Sequence, residues 1–204
     1  MYRYAEGAGT TARFSIVSEI DFLSSTELIC TDYLNHCLRH VDLSLSPPTT
    51  STFAGNCTLY GDADGHRVNT ALFKYAAYTE VKKDNSAVFV LEATKALRMI
   101  DLKTGNVTTL LISDTLSYSM KLVDDNLLYV TQKHLIALID QNTGEENVVA
   151  GELTHGSAIG LFEHTKFHDP QGLLPWRDRH LLVADQNNNR FAGFFLRSKN
   201  TISF

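Results

Sequence analysis

Residues 28–42 read LICTDYLNHCLRHVD, and much the same arrangement returns in residues 181–195 as LLVADQNNNRFAGFF. Each stretch contains a short apolar run, an acidic residue, an asparagine three places later and a second run in which apolar residues alternate. Weaker copies occupy residues 88–101 and 128–140. A strand–turn–strand unit that recurs along a chain cannot bury its hydrophobic face alone, so neighbouring copies must stack. The pattern predicts an all-β fold built as a stacked or radial array of sheets.

The segments that flank these stretches set the length of each repeat. A Gly-bearing loop precedes the first, second and fourth copies, and a turn with a short fourth strand follows every copy. The repeat units therefore run over about 6–56, 61–113, 114–152 and 155–204. Because the repeats cover nearly the whole chain, residues 1–204 are predicted to form one domain. No stretch has sustained helical periodicity, so we expect a helix content near zero.

These repeats resemble the NHL-repeat family of β-propellers, in the form found in extracellular animal and protist proteins. The resemblance lies in NHCLRHVDL (35–43), STFAGNCTLYGDADG (51–65), ALF (71–73), IDLKTGNVTTL (100–110) and LLVADQNNNR (181–190). It implies a β-propeller made of four-stranded blades. Units in register make either a four-bladed ring or part of a larger propeller, and both alternatives stay open at this point.

Composition excludes some classes of partner. The chain of 204 residues has a net charge of −5, and its lysines and arginines are scattered rather than gathered in a stripe. We therefore expect no nucleic acid partner. No apolar run approaches the roughly 18 residues that span a bilayer, so no membrane insertion is expected. The first residues lack the charged-then-apolar pattern of a signal peptide, so a secreted protein would contain this chain as a mature or excised portion.

Cysteines and sequons bear on the compartment. The resemblance implies a disulfide between Cys37 and Cys57 within one blade, which would stabilise the fold by about 3 kcal/mol. Cys30 is expected to be a buried thiol. The alternative is that all three are reduced core cysteines, as is common in cytosolic proteins. N-glycosylation sequons begin at Asn56 and Asn106, both in predicted turns. Together these features favour an extracellular or cell-surface location.

The recurring acids occupy one position of the repeat, as Asp32, Glu92 and Asp185, and Asn35 and Asn188 follow two of them. Catalytic groups break the symmetry between repeats, whereas structural groups follow it. We interpret these residues as turn clamps whose carboxylates accept hydrogen bonds from backbone N–H groups or from a neighbouring Asn or Arg. Replacing Asp32 or Asp185 with alanine is predicted to cost about 1–3 kcal/mol of stability.

No catalytic constellation is evident. His164 and His168 have the i, i+4 spacing of zinc ligands on a helix, but Pro170 argues against a helix there. We expect no cofactor or metal and favour a non-enzymatic extracellular scaffold or interaction domain that binds proteins or glycans. The alternative is a metal-dependent lyase or hydrolase that uses the central channel, as the peptide-amidating lyases among propeller relatives do. A third class is an intracellular NHL adaptor.

Self-assembly into homo-oligomers or fibres is a further expectation. Exposed strand edges pair readily with other chains, and a loop tryptophan beside arginines has the composition of an interface anchor. Deleting residues 201–204 should therefore abolish assembly, or ring closure if the chain ends meet within one molecule. The candidate contact residues are Met1, Tyr2, Trp176, Ile202 and Phe204.

Overall fold

The structure is a computed structural model that describes residues 4–124, 127–160, 164–176 and 180–195. Helical structure there is limited to short 3₁₀ turns, as expected, and no helix has the length and apolar character needed to cross a membrane. The strands are Gly7–Ala8 (β1), Val17–Ser24 (β2), Glu27–Asp32 (β3), Cys37–Asp42 (β4), Thr49–Ala54 (β5), Gly65–His66 (β6), Ala76–Val81 (β7), Ala87–Glu92 (β8), Ala96–Asp101 (β9), Asn106–Ile112 (β10), Ser117–Asp124 (β11), Leu127–Gln132 (β12), Leu135–Asp140 (β13), Glu146–Gly151 (β14), Pro170–Trp176 (β15), His180–Asp185 (β16) and Arg190–Phe195 (β17).

The strands form antiparallel sheets within two compact units, Met1–Asp114 (unit 1) and Thr115–Phe204 (unit 2). Each unit contains two of the sheets. The fold is therefore all-β, as predicted, and its four antiparallel sheets are blades of a β-propeller. The assignment of residues 1–204 to a single domain stays a prediction.

Unit 1 contains two five-stranded sheets, with the orders β1-β5-β4-β3-β2 and β6-β10-β9-β8-β7. Each sheet has one strand more than the four-stranded blade that the resemblance implied. The additional strands, β1 and β6, arise because two residues of the Gly-bearing loop pair with the outer strand of the same sheet. Gly7 and Gly65 begin them with φ of 136° and 137°, a conformation that only glycine adopts readily.

The core of unit 1 lies between its two sheets. Strand β8, with the sequence AVFVLE, is buried at every position, and most of β3 is buried too. Such continuous apolar runs are what a strand covered on both faces requires. The main core side chains are Ile29, Leu38, Phe53, Phe73, Val88, Val90 and Ile100.

Unit 2 contains a four-stranded sheet, β11-β12-β13-β14, and a sheet in which the structure describes β15-β16-β17. The fourth strand predicted for the last repeat, within 197–204, lies outside the described residues. Apolar side chains from both sheets and from the segment before β15 form the core of this unit: Tyr129, Ile136, Leu138, Phe167, Leu173, Leu181 and Val183.

Candidate functional site

The predicted clamp Asp32 lies at the end of β3 and is fully buried. Its Oδ1 accepts a hydrogen bond from the backbone N–H of Ser15 at 2.8 Å. Its Oδ2 accepts hydrogen bonds from Asn35 Nδ2 at 2.9 Å and from Arg39 Nη1 at 3.2 Å. Burial removes the carboxylate from water, and these bonds replace the lost solvation. The carboxylate thus joins the β3–β4 turn to the segment before β2.

Asp185 repeats this arrangement at the end of β16. Its Oδ1 accepts a hydrogen bond from the backbone N–H of His168 at 2.7 Å. Its Oδ2 accepts hydrogen bonds from Asn188 Nδ2 and Arg190 Nε, both at 2.8 Å. In the first and last sheets the carboxylate thus accepts the same types of hydrogen bond, from a backbone N–H, an asparagine and an arginine, and its role as a turn clamp stays a prediction.

The two middle sheets use variants of the same position. Glu92 Oε1 pairs with Arg98 Nη1 at 3.1 Å, and Glu92 Oε2 accepts a hydrogen bond from Thr94 Oγ1 at 2.9 Å. Burial raises the pKa of Glu92, and the hydrogen bond from Thr94 and the charge of Arg98 partly offset this effect. In the third sheet the neutral Gln132 occupies the position and donates to Glu146. A position that tolerates a neutral amide is not serving acid–base chemistry throughout the repeats.

Each of the three acids pairs with an arginine, and no spacing in the sequence predicted which one. Arg39 and Arg98 are fully buried, and each is the third residue of the third long strand of its sheet. Arg39 donates to the backbone carbonyls of Arg13 and Ala5 at 3.1 and 3.0 Å. Arg98 likewise donates to the backbone carbonyls of Ala63, before β6, and Leu72, before β7. The recurrence of arginine in the third long strand is the sequence signal that could have revealed this role.

The structure joins Cys37 to Cys57, the pair that the resemblance implied, with Cα atoms 5.1 Å apart. Cys30 is buried and has a free thiol. Burial raises the pKa of Cys30 to about 11. The thiol therefore stays protonated at neutral pH, and a protonated thiol is a poor nucleophile.

Both predicted glycosylation sites are exposed. Asn56 lies in a turn, where its Oδ1 accepts hydrogen bonds from the backbone N–H and the hydroxyl of Thr58. Asn106 is the first residue of β10 rather than a turn residue, so its predicted setting is wrong. Glycosylation of either asparagine stays a prediction.

Among the interface candidates, Trp176 lies within the described residues. It is the last residue of β15, is 43% exposed, and meets the ring of His180 edge-on at 5.9 Å. The other candidates, Met1, Tyr2, Ile202 and Phe204, lie outside the described residues. Their predicted contacts stay predictions.

A row of aromatic side chains, which no pattern in the sequence predicted, lies on the loops of unit 1. The ring centres of Tyr33 and Tyr75 are 5.2 Å apart, those of Tyr75 and His36 are 4.5 Å apart, and those of His36 and Tyr60 are 5.2 Å apart. Tyr60 is 62% exposed and Tyr75 is 39% exposed. We term these residues the aromatic row. They come from the β3–β4 turn, the β5–β6 loop and the loop before β7, so no local spacing marks them.

The aromatic row borders a cavity of about 650 Å³, which we term the aromatic cleft. A second cavity of about 480 Å³ shares some of the same wall. Cavities of this size accommodate small ligands. The residues that line the aromatic cleft are Tyr4, Leu34, Asn35, His36, Cys57, Thr58 and Tyr60.

The imidazole of His36 is held in one tautomer. Its Nδ1 accepts a hydrogen bond from the backbone N–H of Tyr75 at 3.1 Å, so the proton of the neutral ring stays on Nε2. Burial lowers the pKa of His36, which favours the neutral ring at pH 7. Both residues have left-handed backbones, with φ of 58° and 57°. Non-glycine residues keep this conformation only where the surrounding structure enforces it, and such positions concentrate at functional sites.

The same type of hydrogen bond recurs in unit 2. There His134 Nδ1 accepts from the backbone N–H of Asp169 at 3.4 Å, and Asp169 also has a left-handed backbone with φ of 51°. The bond between histidine and backbone is therefore part of the repeat. The tyrosines beside His36 are what distinguish unit 1.

A histidine cluster surrounds this bond in unit 2. The ring centres of His134, His155 and His168 are 4.5 to 5.6 Å apart. The planes of His155 and His168 differ by only 18° and are stacked, so their nitrogens do not point at one common atom. Within the part of the chain that the structure describes, no group of three or more His, Cys, Asp or Glu residues is arranged to hold a metal ion.

We expect unit 2 to lose stability as the pH falls below about 6.5. Burial lowers the pKa of His134 in the folded state, although Asp169 opposes the effect. The unfolded chain therefore binds this proton at a higher pH, so stability present above the unfolded pKa is lost as pH falls through the folded pKa. Fluorescence of Trp176, the single tryptophan of the chain, follows unfolding of unit 2. His134→Gln should flatten the decline, and His164→Gln, at an exposed position, should not. Equal pH dependence in wild type and His134→Gln contradicts the prediction.

Comparisons with known proteins establish the fold alone. No protein-family model matches the chain, and no curated protein matches its sequence. An auxiliary nutrient binding protein from Bacteroides ovatus superposes with a TM-score of 0.70 at 12% identity, over 91% of this chain and 46% of that protein. A candidate 6-phosphogluconolactonase from Bacteroides uniformis superposes with a TM-score of 0.60 at 10% identity, over 90% of this chain and 51% of that protein. The computationally designed Ika4 protein superposes with a TM-score of 0.55 at 9% identity, over 89% of this chain and 92% of that protein. The chain thus spans about half the length of the two Bacteroides proteins.

Proposed function

We propose that this chain is a non-enzymatic binding domain of an extracellular protein, related through its repeats to the NHL propellers, and that its ligand binds in the aromatic cleft of unit 1. The cleft is the observation that carries the proposal. It combines exposed aromatic rings with a few polar groups in a cavity of about 650 Å³, which is the usual composition of a ligand site. A nutrient binding protein among the structures of similar fold supports a binding role.

Two features support the extracellular location. The Cys37–Cys57 disulfide is of a kind that persists in oxidising compartments and is rare in the cytosol. Asn56 and Asn106 are exposed, as acceptors of N-linked glycans must be.

The non-enzymatic role is supported by the repeated acids, because hydrogen bonds within the scaffold occupy the carboxylates of Asp32 and Asp185.

The proposal is tested by a ligand screen with a structural readout. Amide resonances of the isotope-labelled chain are followed while saccharides, short peptides and sugar phosphates are added. A ligand of the proposed site should shift the resonances of His36, Thr58 and Tyr60, and it should be recovered chemically unchanged. Ligands that shift only resonances of the histidine cluster in unit 2, or that are converted to products, contradict the proposal.

A metal-dependent lyase or hydrolase is the second candidate function. The histidine cluster favours it, because His134, His155 and His168 come together beside Asp169, whose Oδ1 lies 3.4 Å from His134 Nδ1. A metal ion would require the stacked rings of His155 and His168 to turn. Elemental analysis of the protein from its native source decides between the candidates. Bound zinc or copper that is lost in the double variant His134→Gln/His168→Gln favours the enzyme.

Self-assembly is the remaining part of the proposed function. Strand β2 contributes exposed apolar side chains, with Ile20 at 56% and Phe22 at 60% exposure. Exposed apolar patches are typical of surfaces that meet other proteins. Light scattering of the 204-residue chain measures its mass directly. A monomer at every concentration contradicts assembly and leaves binding at the aromatic cleft unaffected.

A further inference from the structure

We infer that the aromatic cleft binds a neutral saccharide, with the rings of His36 and Tyr60 as the surface against which a sugar ring packs. This inference rests on the proposed function, namely that the cleft is the ligand site, and it specifies the ligand class.

The charge of the cleft favours an uncharged ligand. None of the described lining residues is an aspartate, glutamate, lysine or arginine. Arg39, whose guanidinium carbon lies 4.7 Å from the ring centre of Tyr4, is fully buried and paired with Asp32. Lys74, which interacts electrostatically with Tyr60, is paired with Asp62 at 2.8 Å and does not line the cleft. Glu6 accepts hydrogen bonds from the hydroxyls of Tyr4 and Thr52. A phosphate, sulfate or carboxylate group would find no cation in this wall with which to pair, so nucleotides, sugar phosphates and acidic glycans are poor candidates.

The rings of the cleft match the apolar face of a sugar. An aromatic ring has a negative face, and the C–H groups on one face of a pyranose carry small positive charges, so the two surfaces attract as well as exclude water. Neighbouring ring centres along the aromatic row lie 4.5 to 5.2 Å apart. The row continues past the cleft to Tyr75 and Tyr33. Within the cleft itself the rings are those of Tyr4, His36 and Tyr60, and the planes of His36 and Tyr60 differ by 47°.

The polar groups of the cleft match hydroxyls, which both donate and accept hydrogen bonds. His36 presents a donor at Nε2, because its Nδ1 accepts from Tyr75. Thr58 donates its hydroxyl hydrogen to Asn56 Oδ1 at 2.7 Å, so its oxygen is left as an acceptor. Tyr60, at 62% exposure, carries a phenolic hydroxyl that can do either. Donor and acceptor thus stand beside the aromatic surface.

The cleft is held in shape before any ligand arrives. The disulfide from Cys37, the residue after His36, reaches Cys57 in the cleft wall. It ties the β3–β4 turn to the loop that carries Thr58 and Tyr60. Preformed sites lose less conformational entropy when they bind, which matters for saccharides because their individual contacts are weak.

The test is a glycan array that carries neutral oligosaccharides of hexoses and N-acetylhexosamines beside their sialylated and sulfated counterparts. The neutral hits are then titrated in solution with the wild-type chain. Tyr60→Ala should weaken binding about tenfold or more, because it removes the stacking surface, and Tyr60→Phe should keep most of the affinity. Phe191→Ala is the matched control, since it removes an exposed aromatic ring from unit 2, and it should leave affinity unchanged. Melting temperatures show that each variant is folded.

The outcomes separate this inference from the proposed function. Binding of sialylated or sulfated glycans only, or no glycan binding at all, overturns the saccharide inference. If a peptide or protein ligand binds instead and Tyr60→Ala weakens that binding, the cleft remains the ligand site and the ligand class is wrong. If neutral glycans bind Tyr60→Ala as tightly as wild type, whatever the effect of Phe191→Ala, both the inference and the proposed site are overturned.

Discussion

Replacing Arg39 with alanine is expected to lower the free energy of unfolding of unit 1 by about 3–5 kcal/mol. The side chains of Arg39 and Asp32 are both fully buried and lie 3.2 Å apart, so the substitution leaves an uncompensated charge in the interior. It also removes the hydrogen bonds to the carbonyls of Arg13 and Ala5, which hold the first loop against β4. Urea unfolding by circular dichroism measures the loss, and limited proteolysis shows whether residues 1–114 are cleaved first.

Arg190→Ala is the matched control for this prediction. Arg190 pairs with the equivalent acid, Asp185, at 2.8 Å, but its side chain is 19% exposed. Water can therefore reach the site after the substitution, and the expected loss is about 1–3 kcal/mol. If Arg39→Ala unfolds at the same urea concentration as wild type, or loses less than Arg190→Ala does, the charge of Asp32 is compensated by another group and the prediction is wrong.

The arginine partners of the repeated acids could not be predicted from residue spacing in the sequence. An acidic residue recurs at the end of the second long strand of these sheets, and the sequence shows this recurrence. The number of residues between the acid and its arginine differs, however, among Asp32–Arg39, Glu92–Arg98 and Asp185–Arg190. The turn between these two strands has four residues in the first and last sheets and three in the second. Arg39 and Arg98 are the third residues of their strands, whereas Arg190 is the first. The acid and its arginine therefore have no fixed spacing in the sequence.

The estimate of about 1–3 kcal/mol for Asp32→Ala counted lost hydrogen bonds only. Because that substitution also leaves Arg39 buried without its charge partner, we now expect a loss above this range.

Strands that are buried on both faces were predictable, because each of them is a continuous apolar run in the sequence. The apolar runs of β3 and β8 mark strands covered on both faces, and the polar turns between paired strands mark their ends. The two-residue strands β1 and β6 were not predictable, because two residues show no periodicity. They exist through pairing with β5 and β10, which is a property of the folded sheet.

The aromatic cleft could not be predicted from local patterns. Tyr33, His36, Tyr60 and Tyr75 lie on three loops, and only the folded sheets bring their rings together. A tyrosine in a loop looks the same in sequence whether it meets other rings or solvent. The sequence did contain one link between these loops, the Cys37–Cys57 pair, but that pair was inferred from the resemblance and was interpreted as a stabilising bond and a sign of compartment, not as part of a site.

Removing this disulfide is expected to lower the free energy of unfolding by about 3 kcal/mol, with a range of about 2–5 kcal/mol. Cys37 and Cys57 are separated by 20 residues, and without the bond the unfolded chain regains the conformational freedom of that loop. The double variant Cys37→Ala/Cys57→Ala measures the loss by urea unfolding. Cys30→Ala is the control, because it removes a buried thiol of the same sheet but no cross-link.

The effect should also reach the aromatic cleft. His36 precedes Cys37, and Thr58 and Tyr60 follow Cys57, so the loss of the bond releases both walls of the cleft from each other. Hydrogen exchange at residues 56–60 should therefore accelerate in the double variant under conditions where the sheets remain folded. Cys30→Ala should leave that exchange unchanged. If the double variant matches wild type in both stability and exchange, or if peptide mapping of protein from its native source recovers Cys37 and Cys57 as free thiols, the disulfide does not hold the cleft.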